Sequence, residues 1–397
     1  MKKFVLFALL LIALVAVACA PAPTATPVPP TKAPEPTKAP APTTAPTVAP
    51  TAVPATKAPE PTKAPEATKP PAATVAPTTA AAAATATTAP MKCDKLPNAP
   101  TVKAGDLGSK EKPIVITFVP SGDTARIAKA GNDIGDCLNK MTGLVFEKVQ
   151  VGTSFAASIE AMGANKAQVG FLNTFSVLLA REKYQIEPIL AVLRKYNTNS
   201  IDPDKADSGK LLPYYKGQFI TKKDSGIKTY ADLKGKTFCF VDPNSTSGYI
   251  IPRIILLANG INPDKDLKAV VNAGSHNNVG LGVYKGDCDA GVSYVDVMTD
   301  PAANLAKTFP DIADKVIPFA ITDRIPSDGV QVVKGLDPAV RSAIADGLVA
   351  MSKDAGGNAV LRGLYTIDGF DKIDIKFYDD FLAVLKKAGI DPASLVK

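Results

Sequence analysis

From Ala20 to about Lys92 the chain is almost entirely Pro, Ala and Thr and holds no aromatic residue, so any packed core must lie C-terminal to this tract. The segment TKAPEPTKAP occurs at 31–40 and again at 56–65. Neither copy has an apolar face that could stack on the other, so the repeat is low-complexity linker and not a solenoid. Such a tract reads as a solvated, semi-extended tether, with a reach on the order of 200 Å at about 3.1 Å per residue of polyproline II.

Ahead of the tether, Lys2 and Lys3 precede the apolar run FVLFALLLIALVAV, and Ala16, Val17 and Ala18 lead to Cys19. A charged segment, an apolar segment and small residues before a cysteine resemble a bacterial lipoprotein signal. On that reading residues 1–18 are a signal peptide, Cys19 is the lipid-bearing first residue of the mature chain, and 19–92 is the tether. Cleavage elsewhere and an uncleaved anchor are the alternatives. Several acyl chains on one cysteine suffice for stable anchoring, where one alone is marginal. The expected location is the outer face of the cytoplasmic membrane or the periplasm.

The folded part is expected over residues 93–397, enough for two lobes of ordinary domain size. Of 45 Lys and Arg and 38 Asp and Glu, eight Lys and three Glu fall in residues 1–92, leaving 37 against 35. A net of about +2 over that length is no footprint for a polyanion, so no nucleic-acid partner is expected. With Cys19 assigned to lipid, Cys93, Cys137, Cys239 and Cys288 remain, an even number in an exported chain that allows three pairings. Cys239 lies in the strand KTFCFVD and Cys288 opens the strand CDAGVSY, which favours Cys239 with Cys288 in one small sheet. Cys93, at the domain entrance, would then meet Cys137 on the first helix; buried free thiols are the alternative. The absence of any CxxC and the single histidine argue against zinc, and neither a metal nor a cofactor is expected.

Strand-like and helix-like segments alternate along this part, which predicts mainly parallel sheets with helices on both faces. KPIVITFVPS, VFEKVQVG and AQVGFLNTF read as strands, and TARIAKAGNDIGDCLNKMTG and SFAASIEAMGANK as helices; EPILAVLRK and YYKGQFITKK come next. A second unit opens at DLKGKTFCFVDP. It continues through LKAVVNAGSH, NNVGLGVYKG and CDAGVSYVDV, before KVIPFAITDRIP, VQVVKGL and two further helices, DPAVRSAIADGLVAMSKD and KFYDDFLAVLKKAGI.

The most informative stretch is KTFCFVDPNSTSGYIIPRIILLANG at 236–260, a buried strand, a tight turn and a helix. The helix start leaves its first N–H groups unpaired at the positive end of the macrodipole. The hydroxyls of Ser245, Thr246 and Ser247 therefore converge with several amides where a tetrahedral oxyanion could sit. The competing reading makes Ser245 or Ser247 only an N-cap.

This stretch, with GDCDAGVSYVDV and IPSDGVQVVKGLD after it, closely resembles the phosphonate/phosphate/phosphite substrate-binding proteins of ABC transporters. The likeness runs from about Lys112 to the C-terminus; the STSGY turn, Gly-Ser-His after the next strand and DAG-x-x-Y-x-DV are its most specific parts. It implies a type II periplasmic-binding-protein fold, two α/β lobes joined by two crossover strands with the ligand in the cleft. The crossings would lie near 214–223 and 323–333. Lobe 1 would comprise 93–218 and 329–397, and lobe 2 residues 219–328. The implied partners are a small phosphorus oxyanion and an ABC permease, with the membrane reached through the lipid anchor and the protein a monomer.

The resemblance also implies a ligand set. Ser245, Thr246 and Ser247 would hold the phosphorus-bound oxygens, and His276 would donate to the same oxygens, with Ser275 beside it. Asp296 would accept from a P–OH and so select ligands that carry a proton; a surface or N-cap aspartate is the alternative. Asp328 matches a second acidic position and could equally be a hinge-turn residue. In lobe 1 the chain reads Thr153-Ser154-Phe155 where aminoalkylphosphonate binders often carry Thr-Asp-Tyr, and Leu172-Asn173-Thr174 where they often carry an aromatic residue and glycine. An alkylammonium cage is thus disfavoured. Ser121, Ser154, Phe155, Asn173 and Thr174 would instead contact a compact ligand: phosphate, phosphite or methylphosphonate ahead of aminoethylphosphonate.

An exported hydrolase using one of the serines is the rival from another class; it would need His276 as base, and no G-x-S-x-G elbow or metal cluster accompanies it. A surface stalk or adhesion lipoprotein is the other, but the α/β pattern is too rich for a spacer. The expectation is binding by lobe closure, without chemistry.

Overall fold

In the computed structural model, residues 89–395 are described. The expected signal peptide, Cys19 and most of the tether lie outside them. Among the described residues no helix is long and apolar enough to cross a membrane.

Two sheets form the scaffold. The strands of the first are β1 (Ile116–Phe118), β2 (Gln150–Val151), β3 (Val169–Leu172), β4 (Glu187–Lys195), β5 (Leu211–Leu212), β13 (Gly329–Val332) and β14 (Gly369–Lys372). They lie in the order β14-β4-β13-β3-β1-β2, with β5 added to β4. The second sheet is built from β7 (Gly217–Lys222), β8 (Thr237–Phe240), β9 (Ala269–Asn272), β10 (Ala290–Tyr294) and β11 (Val316–Ile321), in the order β11-β7-β10-β8-β9. Between them β6 (Tyr214–Tyr215) and β12 (Ile325–Pro326) pair antiparallel as a separate ribbon, where the chain passes from one sheet to the other and returns.

The sheets are mixed, which corrects the expectation of mainly parallel pairing. β1 runs parallel to β2 and β3, and β8 to β9 and β10, as strand-helix-strand units require. β13 is antiparallel to β3 and β4, and β7 to β10 and β11. The reason is the double crossing: β7 and β13 each enter a sheet from the crossover ribbon, at the edge where its strand-helix units end.

Helices cover both faces of the first sheet. On one lie α1 (Thr124–Thr142), α6 (Pro338–Lys353) and α7 (Ala355–Tyr365), whose Ile127, Ile134, Leu138, Ile344 and Leu361 pack with Ile116 and Phe118. On the other lie α2 (Phe155–Gly163), α3 (Thr174–Tyr184) and α8 (Asp379–Lys387), packing Ile159, Phe175, Leu178 and Leu385. The second sheet carries α4 (Ile251–Ala258) against Phe238 and Phe240, and α5 (His276–Lys285) on its other side. The four cysteines pair as Cys93–Cys137 and Cys239–Cys288.

Among the elements not expected are α3, α7 and β14. The residues of α3 are buried without a break from Thr174 to Ala180, so this helix shows no polar face to betray its period. α7 contains Gly356 and Gly357 near its start, a composition that argues against helix. Gly356 is required by a close approach, because a Cβ there would lie 2.5 Å from the Met91 amide nitrogen, where the N-terminal segment crosses the helix. β14 then comes after α7 as an edge strand of four residues.

Candidate functional site

β8 ends at Phe240, and the chain turns through Asp242 and Pro243 to Ser245, which caps the next helix: its Oγ accepts from the Gly248 amide at 3.2 Å. Residues Thr246–Ile250 form a π-helical turn, closed by the Ile250 amide on the Ser245 carbonyl at 3.0 Å, before α4 begins. Turns of this kind are rare and recur at functional sites. Ser245, Thr246 and Ser247 are each only 1% exposed. All three line a cavity of about 110 Å³ between the two sheets. Roughly 10–15 Å³ of such space admits one water, so a small ligand fits. Ser245 is therefore an N-cap and a cavity wall at once; the two readings offered for it do not compete.

Thr246 Oγ1 accepts from Asn173 Nδ2 and from the Phe175 amide, both at 2.9 Å, the first just after β3 and the second in the first turn of α3, in the facing lobe. With its two lone pairs occupied, the hydroxyl can only donate. Asn173 Nδ2 also reaches the Asn244 carbonyl at 2.9 Å, which leaves Asn173 Oδ1 buried with no partner among the described residues.

His276 opens α5, behind the N-cap Ser275. Its Nδ1 is 3.0 Å from Ser293 Oγ and its Nε2 3.5 Å from Ser245 Oγ. Burial pushes the imidazole down to about 3, so it is neutral at physiological pH, with one ring nitrogen donating and the other accepting. The His276 amide donates to the Ser121 carbonyl at 3.2 Å, and Ser121 lines the cavity.

Asp296 comes just after β10 with φ of 65°, a conformation few non-glycine residues adopt. Its carboxylate lines the cavity and accepts from Asn197 Nδ2 of the facing lobe at 2.6 Å. Burial, with Asp300 nearby, pushes it up to about 7. Asp328, on the return crossing, is ion-paired: its Oδ2 accepts from Arg194 Nη2 at 2.8 Å, while Oδ1 is buried and unpartnered among the described residues. Phe155, with Val119, Phe171 and Leu172, makes an apolar wall.

Two expected contacts are corrected. Ser154 does not line the cavity; its hydroxyl caps α2 by accepting from the Ala157 amide at 3.1 Å. Thr174 is also off the cavity; its hydroxyl donates to the Pro326 carbonyl at 2.6 Å and ties α3 to the return crossing.

Sequence reasoning missed Arg194, at the end of β4, and Arg126, in the first turn of α1, which both line the cavity. For Arg194 a signal existed, since ligands of α/β sheets gather at the C-terminal ends of strands. Tyr215 on the crossover ribbon was missed as well; desolvation, and then the charge of Asp328, push its hydroxyl upward. Among the described residues no group of side chains could hold a metal ion.

Residues 116–378 match the model of a family described as ABC transporter, phosphonate, periplasmic substrate-binding protein. Over 194 residues the chain is 28% identical to the phosphate-import protein PhnD of Mycolicibacterium smegmatis, covering 47% of this chain and 56% of that one. The chain spans about half the length of the curated relatives it matches. Among solved structures, a binding protein component of an ABC phosphonate transporter from Pseudomonas aeruginosa superposes with a TM-score of 0.59 at 21% identity, covering 69% of this chain and 86% of that one. PhnD1 from Prochlorococcus marinus, solved in complex with methylphosphonate, gives 0.57 at 18% identity, covering 70% and 98%. These two likenesses establish the periplasmic-binding-protein fold.

Proposed function

Because this chain belongs to the phosphonate family of ABC-transporter periplasmic substrate-binding proteins, we propose that it captures a small phosphorus oxyanion between its lobes and delivers it to an ABC permease. The observation that carries this reading is the set of hydrogen-bonding atoms left over in one cavity. Thr246 can only donate, Arg126 Nε and Arg194 Nη1 are buried donors without partners, and Asn173 Oδ1 and Asp328 Oδ1 are buried acceptors without partners. Buried polar groups are normally satisfied. A ligand that satisfies these needs several acceptor oxygens and at least one hydrogen to give, as a protonated phosphorus oxyanion has. The relatives named for phosphate import and solved with methylphosphonate point to the same ligand class.

The groups come from both lobes, so a ligand that engages all of them favours the closed form over any open one. On this reading the lobes are 93–218 with 329–397, and 219–328, and the protein works as a monomer. Titration of the purified protein by calorimetry with phosphate, phosphite, methylphosphonate and aminoethylphosphonate tests it: at least one must bind saturably, and binding of none rejects it.

The Ser245–His276 approach is the one observation that favours the hydrolase alternative. The imidazole, near 3, is too weak a base for work at neutral pH, and its Nδ1 faces Ser293 where a triad would place a carboxylate. Turnover of a chromogenic phosphate ester would revive that alternative. Lipid anchoring rests on the run that ends in Ala18-Cys19. Labelled palmitate should enter the wild type in cells and not Cys19→Ala.

A further inference from the structure

Arg194 is held on three sides, with Nη2 on Asp328 at 2.8 Å, Nε on the Tyr365 carbonyl at 3.1 Å, and the guanidinium 5.7 Å from the centre of the Tyr215 ring. A guanidinium is planar, so these contacts also set the direction of Nη1, the buried nitrogen that has no partner. Its cation is therefore a built part of the wall. Arg126 adds a second guanidinium, held by the carbonyls of Gly363 and Leu364 at the end of α7.

The carboxylates of the cavity are correspondingly occupied. Asp328 is paired with Arg194. Asp300 accepts from Tyr294, Thr366 and the Ala302 amide. Asp296 accepts from Asn197 and holds its proton to about 7. An ammonium group brought in by a ligand would find Asp328 already neutralised by Arg194, with only its Oδ1 unpartnered, and would meet the positive charge of Arg194. An acceptor or uncharged substituent would meet a donor that lacks a partner.

We propose that Arg194 is a specificity-determining residue: its guanidinium occupies Asp328 and so excludes phosphonates with a cationic tail, while Nη1 receives an acceptor atom of the ligand. The proposal rests on the phosphorus-oxyanion reading of the same cavity. Removing the charge should free Asp328 and admit the ammonium that Arg194 now repels.

Calorimetric titration of the wild type, Arg194→Met and Arg194→Lys with phosphate and aminoethylphosphonate tests this. In the wild type phosphate binds more tightly. In Arg194→Met the ratio of the two affinities should move toward aminoethylphosphonate by at least about tenfold, because like charges in close contact discriminate strongly. Arg194→Lys, which retains the charge, should restore the preference for phosphate. If Arg194→Met does not fold, as judged by thermal unfolding, Arg194→Gln takes its place with the same expectation. A ratio unmoved in the neutral variant, an equal shift in the lysine variant, or a wild type that prefers aminoethylphosphonate overturns the proposal and leaves the ligand class standing. Failure of the wild type to bind any phosphorus oxyanion overturns both.

Discussion

Asn173 Nδ2 lies 2.9 Å from Thr246 Oγ1, a hydrogen bond between residues 73 apart in sequence that joins the two lobes across the cavity. The same oxygen accepts from the Phe175 amide, so one hydroxyl bridges the two lobes and has only its hydrogen left to give.

Thr246→Val keeps the shape of that side chain and removes the oxygen, leaving two buried donors of the facing lobe unpaired. Each such loss costs about 1–3 kcal/mol. The closed form should be disfavoured and affinity should fall by about one and a half to four orders of magnitude on that figure. Calorimetry measures the affinity, and small-angle scattering at saturating phosphate should show a more expanded molecule than the wild type. Wild-type affinity in this variant would remove Thr246 from both roles.

Ser245 and Ser247 should separate stability from binding. Ser245 caps the π turn, so Ser245→Ala should lower stability by about 1 kcal/mol and weaken binding as well. Ser247 lines the same cavity without capping the turn, so Ser247→Ala should weaken binding by about 1–3 kcal/mol with little change in thermal unfolding. The two variants behaving alike in both measurements would mean that the turn acts only as a structural unit.

Gly248 is the position where the turn tolerates least. A Cβ there would lie 2.3 Å from Val241 Cγ2 and 2.8 Å from Ser245 Oγ. Gly248→Ala should cost about 1–3 kcal/mol of stability through overpacking. The second change Val241→Ala removes the Cγ2 clash while leaving the Val241 Cβ at 2.6 Å, and should recover part of that loss. Additive destabilisation in the double variant, measured by urea unfolding, would show that the strain lies elsewhere.

Asp296 and His276 should make opposite contributions to the pH dependence of stability. In the folded protein Asp296 is pushed up to about 7, against about 3.9 for a free carboxylate. The native state therefore binds more protons between about pH 4 and 7, and this contribution falls as pH rises. His276 is pushed down to about 3, against about 6.5 unperturbed. There the unfolded state binds more protons, and stability rises over about pH 3 to 6.5. The two trends oppose each other in the wild type. Asp296→Asn should leave stability rising to about pH 6.5 and flat above it, whereas His276→Gln should leave it falling to about pH 7. Unfolding in urea from pH 4.5 to 7.5 checks this, and parallel curves for both variants and the wild type would contradict it.

The residues of β3, α1 and the turn after β8 were legible because their signals are local. β3 is a buried apolar run, α1 has an Asp123 cap and a Gly143 stop, and the turn has Asp-Pro followed by three hydroxyl residues. α3 was not, because a short helix buried on most sides has no polar face to show a period of 3.6. The antiparallel course of β7 and β13 was not either, because strand direction depends on where the chain re-enters a sheet. Ser154 and Thr174 show the same limit at the scale of one side chain: both have the chemistry to bind an oxyanion, and the fold places both off the cavity, Ser154 as the cap of α2 and Thr174 on the Pro326 carbonyl.

By itself the sequence determined most of the strands and helices (though not α3, α7 or β14), where the hydroxyl turn falls, and which family the motifs resemble, because period, turn chemistry and motif spacing act over a few residues. Tertiary structure alone decided the state of the polar groups. The Arg194–Asp328 pair joins residues 134 apart and the Asn197–Asp296 bond residues 99 apart. Burial, which depends on the packing of distant elements, is what neutralises His276 and raises Asp296. A side chain's charge and its free hydrogen-bonding atoms are set by what lies within a few ångströms of it, and that is known only once the chain has brought distant segments together.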